Sequence, residues 1–505
     1  MYSFFIHIGR NKINETSCIA KNIFDENQVK WIETGHTQIG ISSANSSFIH
    51  YKNTDYFLVG KIDNIKKMAA SFAATSERNE IELCVKLLEE KGWEIVNDWK
   101  GCFALIANNI KNQELLFTIG NTGLMQSYII HKDNSVILTS ELKAFCNTTF
   151  FERKMIPIDS YQYEYTKDVE PDFCFLQNIN RVLPGYYYAL NYKNSNTISI
   201  NKTKLFPIHE STNPISKTEA KEKIYSLLSE NIKDKISYDK IGIPISGGLD
   251  SGLIASLVHQ QTDTIYTYTI GTNFGNEFEN AKDVHQFLNS VHEEINIDED
   301  EFWEGFLQSV WHNEICDPLY AEGYVGFYHS LKQAQKDVHE LFTGYGADLI
   351  LGDFLNIKDR SAINSFSEYW GRRAAWTGEM SPYTARSFGM EIQHPFWEIE
   401  LINFSLSIPY EYKYLGDEVK ALLREMAEEK KLLPSQIAWR KKNAFTTGAS
   451  LDQLFSHCLK IPYLKNYRFK SIFLYYLFEE LFVLDKHFST IDIQELIKKT
   501  SNYVR

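Results

Sequence analysis

The chain has 505 residues, 44% of them hydrophobic and 14% aromatic, and a formal net charge of −13. That length exceeds what one hydrophobic core usually serves, so two domains are expected, and the apolar content excludes a disordered chain. The acidic balance argues against nucleic-acid binding through a broad basic face, and no apolar run reaches the roughly 18 residues of a membrane-spanning helix.

The start, Met1-Tyr2-Ser3-Phe4-Phe5-Ile6, lacks the basic segment and long apolar run of a signal peptide. Seven scattered cysteines with no C-x-x-C pair fit a reducing compartment and give no zinc site. A cytoplasmic protein is therefore expected. Up to about residue 208 the pattern is strand-rich, with apolar runs at 56–60, 102–107, 115–119 and 135–139 and one helical stretch at 80–91. This predicts a first domain, 1–208, folded as a layered α+β sandwich. The polar stretch from Pro207 to Pro214 is the linker candidate. The remainder, 209–505, is predicted as an α/β domain with a helical extension. Its strand candidates at 241–245 and 265–270 alternate with helices, which implies a parallel sheet.

The most informative stretch is Ser246-Gly247-Gly248-Leu249-Asp250-Ser251, between the apolar run Ile241–Ile245 and the helical pattern Gly252–Val258. A buried strand, a glycine-rich turn and a helix start make an anion site: the glycines let successive N–H groups converge, and the helix N-terminus adds positive potential. The serines add hydroxyls, and Asp250 suits Mg²⁺ on a polyphosphate. No lysine lies in the loop and the G-x-x-x-x-G-K-[ST] spacing is absent, which excludes a Walker loop. The stretch resembles instead the S-G-G-x-D-S pyrophosphate loop of enzymes that split ATP between its α and β phosphates.

Further segments carry a wider likeness. Leu58-Val59-Gly60-Lys61-Ile62, Trp99–Ala104, Leu138–Lys143 and Arg181–Tyr186 lie in the first half. Tyr268–Thr272, Asn276–Ala281, Leu341–Asp348, Trp376–Pro382, His394–Trp397, Asp417–Arg424 and Trp439-Arg440-Lys441-Lys442 lie in the second. Over nearly its whole length the chain resembles the asparagine synthetase B family. The resemblance implies an N-terminal glutaminase-like domain of the Ntn-hydrolase type and a C-terminal pyrophosphate-loop ATPase domain. Glutamine-using members carry cysteine as second residue; here it is Tyr2. A phenol with pKa near 10 and no base does not attack an amide at neutral pH, and Cys18 is not at the N-terminus. The first domain is therefore expected to be inactive as a glutaminase.

Within the family the second half resembles the β-lactam synthetase and carbapenam synthetase branch. The resemblance assigns Ser246, Gly247, Gly248, Leu249, Asp250, Ser251, Ile270, Lys420 and Lys442 to ATP and pyrophosphate, and Asp250 and Asp348 to Mg²⁺. It makes Tyr345, polarised by Glu379, the base that deprotonates the attacking amine, with Gly346 also lining the substrate. Lys442 supports the oxyanion. One departure stands out: beyond Lys442 the lactam-forming relatives read glycine, an aliphatic residue, histidine, glutamate, glycine, whereas this chain reads Asn443-Ala444-Phe445-Thr446-Thr447-Gly448. It bears on the product more than on adenylation. The expectation is an ATP- and Mg²⁺-dependent synthetase that adenylates a β-amino acid and closes a lactam, releasing AMP and pyrophosphate. An asparagine synthetase-like ligase making a linear or macrocyclic amide without glutamine, and a non-catalytic nucleotide-binding protein, stay open. The expected partner is a small amino-acid-derived substrate, with no nucleic acid and no membrane; homo-oligomerisation is left open.

Overall fold

The computed structural model describes residues 2–24, 28–71, 79–132, 134–158, 172–194, 197–205, 215–352, 382–416, 418–441, 448–462 and 467–504. The expected linker falls outside them. The described residues form two compact units, one drawn from Met1–Pro207 and Tyr467–Arg505, the other from Ile208–Glu368 and Pro382–Asn466.

The first unit opens with β1 (Phe4–Ile8), α1 (Thr16–Ile23), β2 (Val29–Thr34), β3 (Thr37–Ser42), β4 (Ser46–Tyr51) and β5 (Thr54–Ile62). Helices α2 (Ile65–Ser71) and α3 (Glu80–Lys91) follow, then β6 (Gly101–Asn109), β7 (Glu114–Ile119), β8 (Tyr128–Lys132) and β9 (Ser135–Thr139). Three more strands complete it: β10 (Ile179–Arg181), β11 (Tyr186–Asn191) and β12 (Ser199–Lys204). One antiparallel sheet is ordered β10-β8-β9-β1-β3-β2, the other β12-β11-β7-β6-β5-β4. Phe4 and Ile6 of the first sheet share a buried cluster with Phe57, Val59, Ile106 and Phe117 of the second. The other face of the second sheet, with Leu58 and Leu105, packs on Leu83 and Leu87 of α3. Because β5 and β6 are covered on both faces, they read as continuous apolar runs rather than as alternation. Asn79 caps α3 by accepting the Glu82 N–H at 3.0 Å, and Gly92 ends it at φ 76°.

Two C-terminal helices, Tyr467–Phe482 and Ile493–Val504, also belong to this unit. The Phe478 ring lies 5.2 Å from that of Phe175. Tyr475 donates to the Ile156 carbonyl at 2.5 Å, and the Arg153 guanidinium forks onto Asp485, its Nη2 2.7 Å from Oδ2. A single boundary at 208 therefore does not describe the packing: the chain returns at its end, through long-range contacts that leave no local signature.

The second unit opens with α4 (Lys217–Lys235), started by a capping box of Ser216 and Glu219. Then come β13 (Lys240–Pro244), α5 (Leu249–His259), β14 (Thr264–Thr272), β15 (Gly275–Asn276), α6 (Phe278–Leu288) and β16 (Val291–Ile297). Helices α7 (Glu299–Asn313) and α8 (Pro318–Ala334) lead to β17 (Glu340–Phe342), α9 (Ala347–Leu351), α10 (Tyr383–Ser387) and β18 (Glu391–Gln393). The rest is largely helical: α11 (Ile399–Ser407), α12 (Tyr410–Lys413), α13 (Ala421–Glu429), α14 (Ser435–Ala438) and α15 (Leu451–Cys458). Strands β16, β14, β13, β17 and β18 run parallel in that order, with β15 antiparallel on β14. The chain leaves β13 toward β14 on one side and returns to β17 on the other. That reversal opens a crevice at the carboxyl ends of β13 and β17, where open parallel sheets bind ligands.

Candidate nucleotide site

β13 ends at Pro244, and Ile245 donates its N–H to the Tyr268 carbonyl at 2.8 Å before the chain turns. The Ser251 hydroxyl accepts the Ser246 N–H at 3.2 Å, closing the turn. Gly247 has φ +71°, and a Cβ there would lie 2.3 Å from the Asn280 carbonyl carbon, so conformation and space both require glycine. Gly248 is the N-cap of α5 and offers no capping side chain. The first turn of that helix therefore has no side-chain cap, which is the setting of an anion site. A Cβ on Gly344, just past β17, would lie 2.6 Å from the Ser251 nitrogen, so the two loops touch backbone to backbone.

Lys420 closes the crevice. Its Nζ lies 2.5 Å from Asp250 Oδ2 and 2.7 Å from Asp348 Oδ1. The lysine side chain is 1% exposed while the Asp348 side chain is 39% exposed, so the cation is the inner partner. Lys420 stands just before α13, at φ 59° and ψ 35°. A non-glycine residue held left-handed costs about 1 kcal/mol or more and persists where its surroundings impose it. Here Arg424, fully buried, donates its Nε to the Val419 carbonyl at 2.9 Å, fixing the peptide that precedes Lys420.

The two carboxylates and one ammonium leave a single net negative charge. Hard oxygen donors in that number fit Mg²⁺, which keeps water and takes one or two carboxylates plus substrate phosphates. Among the described residues no cluster of three or more His, Cys, Asp or Glu forms a fuller metal cage.

Tyr345 follows Gly344, half-buried, with its ring 5.7 Å from that of His394 and 6.1 Å from that of Trp397. Its N–H donates to Thr343 Oγ1 at 3.3 Å, and that hydroxyl lies 2.6 Å from His394 Nδ1. Gly346, at φ +100°, lets the chain swing into α9 and bring Asp348 round. Ile270 is buried in β14 beside the loop-bearing β13. Glu379 and Lys442 lie outside the described residues, as do most of Trp376–Pro382 and all of Asn443–Thr447.

Two residues of the site stand in segments quoted above but were given no role from the sequence. Arg440 Nη1 donates to the Gly247 carbonyl at 2.6 Å and to that of Asn280 at 2.9 Å, and its Nη2 lies 2.5 Å from Asp283 Oδ2. Arg424 Nη1 in turn donates to the carbonyls of Ala438 and Arg440, at 2.7 and 3.1 Å. Both sit in stretches with other charged residues, and only tertiary placement distinguishes them.

In the first unit Tyr2 is 5% exposed and belongs to the cluster between the two sheets. Burial, and then the Glu15 carboxylate, push the Cys18 thiol above its usual range. Among the described residues no helix is long and apolar enough to cross a membrane.

Residues 18–201 match the family model "Glutamine amidotransferase domain", and 223–387 with 379–461 match "Asparagine synthase". A probable glutamine-hydrolysing asparagine synthetase of Dictyostelium discoideum is 24% identical over 77% of this chain and 71% of its own length. The glutamine-hydrolysing asparagine synthetase of Rattus norvegicus is 27% identical over 53% of this chain and 52% of its own. The carboxyethyl-arginine beta-lactam-synthase of Streptomyces clavuligerus is 27% identical over 43% of this chain and 42% of its own. Against the latter two, then, the matched stretch spans about half of the relative or less. Among solved structures, an NMN synthetase from Francisella tularensis aligns over 57% of this chain and 94% of that one, with TM-score 0.26 and 16% identity. Along one chain, then, a match to a glutamine amidotransferase domain is followed by a match to the asparagine synthase family.

Proposed function

We propose that the chain is an ATP- and Mg²⁺-dependent intramolecular amide synthetase that works without glutamine. A carboxylate of an amino-acid-derived substrate attacks the α-phosphorus of ATP, pyrophosphate leaves, and an internal amine then attacks the acyl-adenylate to close a ring and expel AMP. The observation that carries this reading is Lys420 joined to Asp250 and Asp348 beside the uncapped start of α5. A triphosphate brings several negative charges, and an ammonium with a helix N-terminus offsets them where they gather. Mg²⁺ held by the two aspartates would neutralise charge on the phosphate oxygens. Tyr345 follows Gly344, whose backbone meets the start of α5, and on the family likeness its phenol takes the amine proton. Glu379 as its polarising partner and Lys442 at the oxyanion rest on the resemblance alone.

Glutamine independence rests on the family likeness, in which Tyr2 stands where glutamine-using members carry cysteine. The asparagine synthetases among the relatives favour a second reading, in which the amine is ammonia and the product a linear amide.

The test supplies ATP and Mg²⁺ with carboxyethyl- or carboxymethyl-substituted amino acids, or with aspartate plus ammonium or glutamine. AMP and pyrophosphate with the first group support lactam closure; asparagine from the second supports the linear reading. ADP in place of AMP would sink both, and nucleotide binding without substrate-dependent pyrophosphate release would leave a binding protein. Tyr345→Phe is expected to lower ring closure by about 100-fold. The edge-on ring contacts with His394 and Trp397 are kept in that variant, so it should still unfold in one cooperative thermal transition.

A further inference from the structure

The pyrophosphate loop contains a peptide between two glycines, and such a peptide has little conformational preference of its own. If it turned over, it would present the Gly247 carbonyl to the triphosphate in place of the Gly248 N–H, exchanging an attraction for a repulsion. Something outside the loop must fix its sense. Arg440 reaches it from beyond α14, donating to the Gly247 carbonyl at 2.6 Å. The guanidinium is itself held, by the Asn280 carbonyl at 2.9 Å and Asp283 Oδ2 at 2.5 Å, both on α6. In a trans peptide the C=O of one residue and the N–H of the next point in opposite directions. With the Gly247 oxygen drawn toward Arg440 and α6, the Gly248 N–H points away from them, to the side left clear for an anion.

We propose that Arg440 is a positioning residue that locks the Gly247–Gly248 peptide in the sense that binds triphosphate. Arginine suits this task better than lysine, because its planar fork engages two carbonyls and a carboxylate at once. Arg440 never touches the nucleotide in this arrangement and acts through the loop. The inference rests on the nucleotide reading above and names the residue that keeps that site in shape.

The experiment is isothermal titration of the full chain with ATP, inorganic pyrophosphate and AMP in the presence of Mg²⁺, with thermal melting as the control for folding. Arg440→Gln is expected to weaken ATP and pyrophosphate roughly tenfold or more, the effect of losing a charged hydrogen bond, and to leave AMP unchanged. Arg440→Lys should fall between. Asp283→Asn, which loosens the guanidinium without removing it, should produce a smaller loss of the same kind. Equal ATP affinity in wild type and Arg440→Gln overturns the proposal, as does a loss of AMP affinity matching that of ATP. Should Arg440→Gln fail to fold, Arg440→Lys and Asp283→Asn decide by the same comparison. A wild-type chain that takes up neither ATP nor pyrophosphate defeats the nucleotide reading itself, and that result is distinct from the others.

Discussion

Lys420 neutralises two carboxylates from separate loops, and its removal has opposite consequences for two ligands. In Lys420→Met the aspartates face each other with nothing between them, which favours a divalent cation and disfavours a polyphosphate. We expect Mn²⁺ affinity without nucleotide to rise, read by the electron paramagnetic resonance of the free ion. Pyrophosphate release should fall about 100-fold or more. Unchanged Mn²⁺ affinity would show that the lysine does not occupy the cation's place. Asp250 could be proposed from sequence because it follows two glycines just after an apolar strand, whereas Asp348 was reached through the family likeness. Lys420 and Tyr345 were found through the family likeness, since a lysine near a helix start and an aromatic in a loop are ordinary alone. Arg440 lies in a segment that carries the family likeness, but its role was not legible: its partners are two backbone carbonyls and Asp283, 157 to 193 residues earlier in the chain.

At the level of elements, α9 is only five residues long and carries Asp348, so what holds its far end bears on the site. Lys413, at the end of α12, donates to the Ile350 carbonyl at 3.2 Å and to the Ser405 carbonyl of α11 at 2.7 Å. It tethers the last turns of two helices, where a cation is favoured. Burial opposes its charge and pushes the lysine down to about 7. The unfolded chain, with an ordinary lysine near 10.4, binds more protons than the folded chain between pH 7 and about 10. This residue therefore makes stability rise with pH across that window and is pH-neutral below it. Lys413→Met should flatten that rise in urea unfolding midpoints measured from pH 7 to 10; a slope identical to wild type would refute the assignment. Legibility followed length and covering. β5, β6 and β14 read clearly as long apolar runs. Three-residue strands such as β17 and β18 are too short for any period to register, although β17 positions half the crevice.

For the molecule as a whole, the C-terminal helices decide what counts as a unit. Phe478 against Phe175 and Arg153 on Asp485 tie residues beyond 467 to a sandwich whose strands end at Lys204. A fragment ending at residue 205 should therefore be poorly soluble, because it uncovers the apolar surface around Phe175. Supplying 467–505 in trans should restore a cooperative thermal transition; equal solubility of the fragment with and without that peptide would count against the packing. The alternation of strands and helices announced two domains but not this return, because hydrophobic period reports what an element buries and not against which distant partner.

The ion-paired trio also has a consequence in time. Asp250, Asp348 and Lys420 emerge from the ribosome in that order, the last 170 positions after the first. A nascent or prematurely cleaved chain that stops short of the lysine presents two uncompensated acids where a triphosphate would dock, and so repels it. A chain cut between Asp348 and Lys420 is therefore expected to bind a polyphosphate more weakly than the full chain.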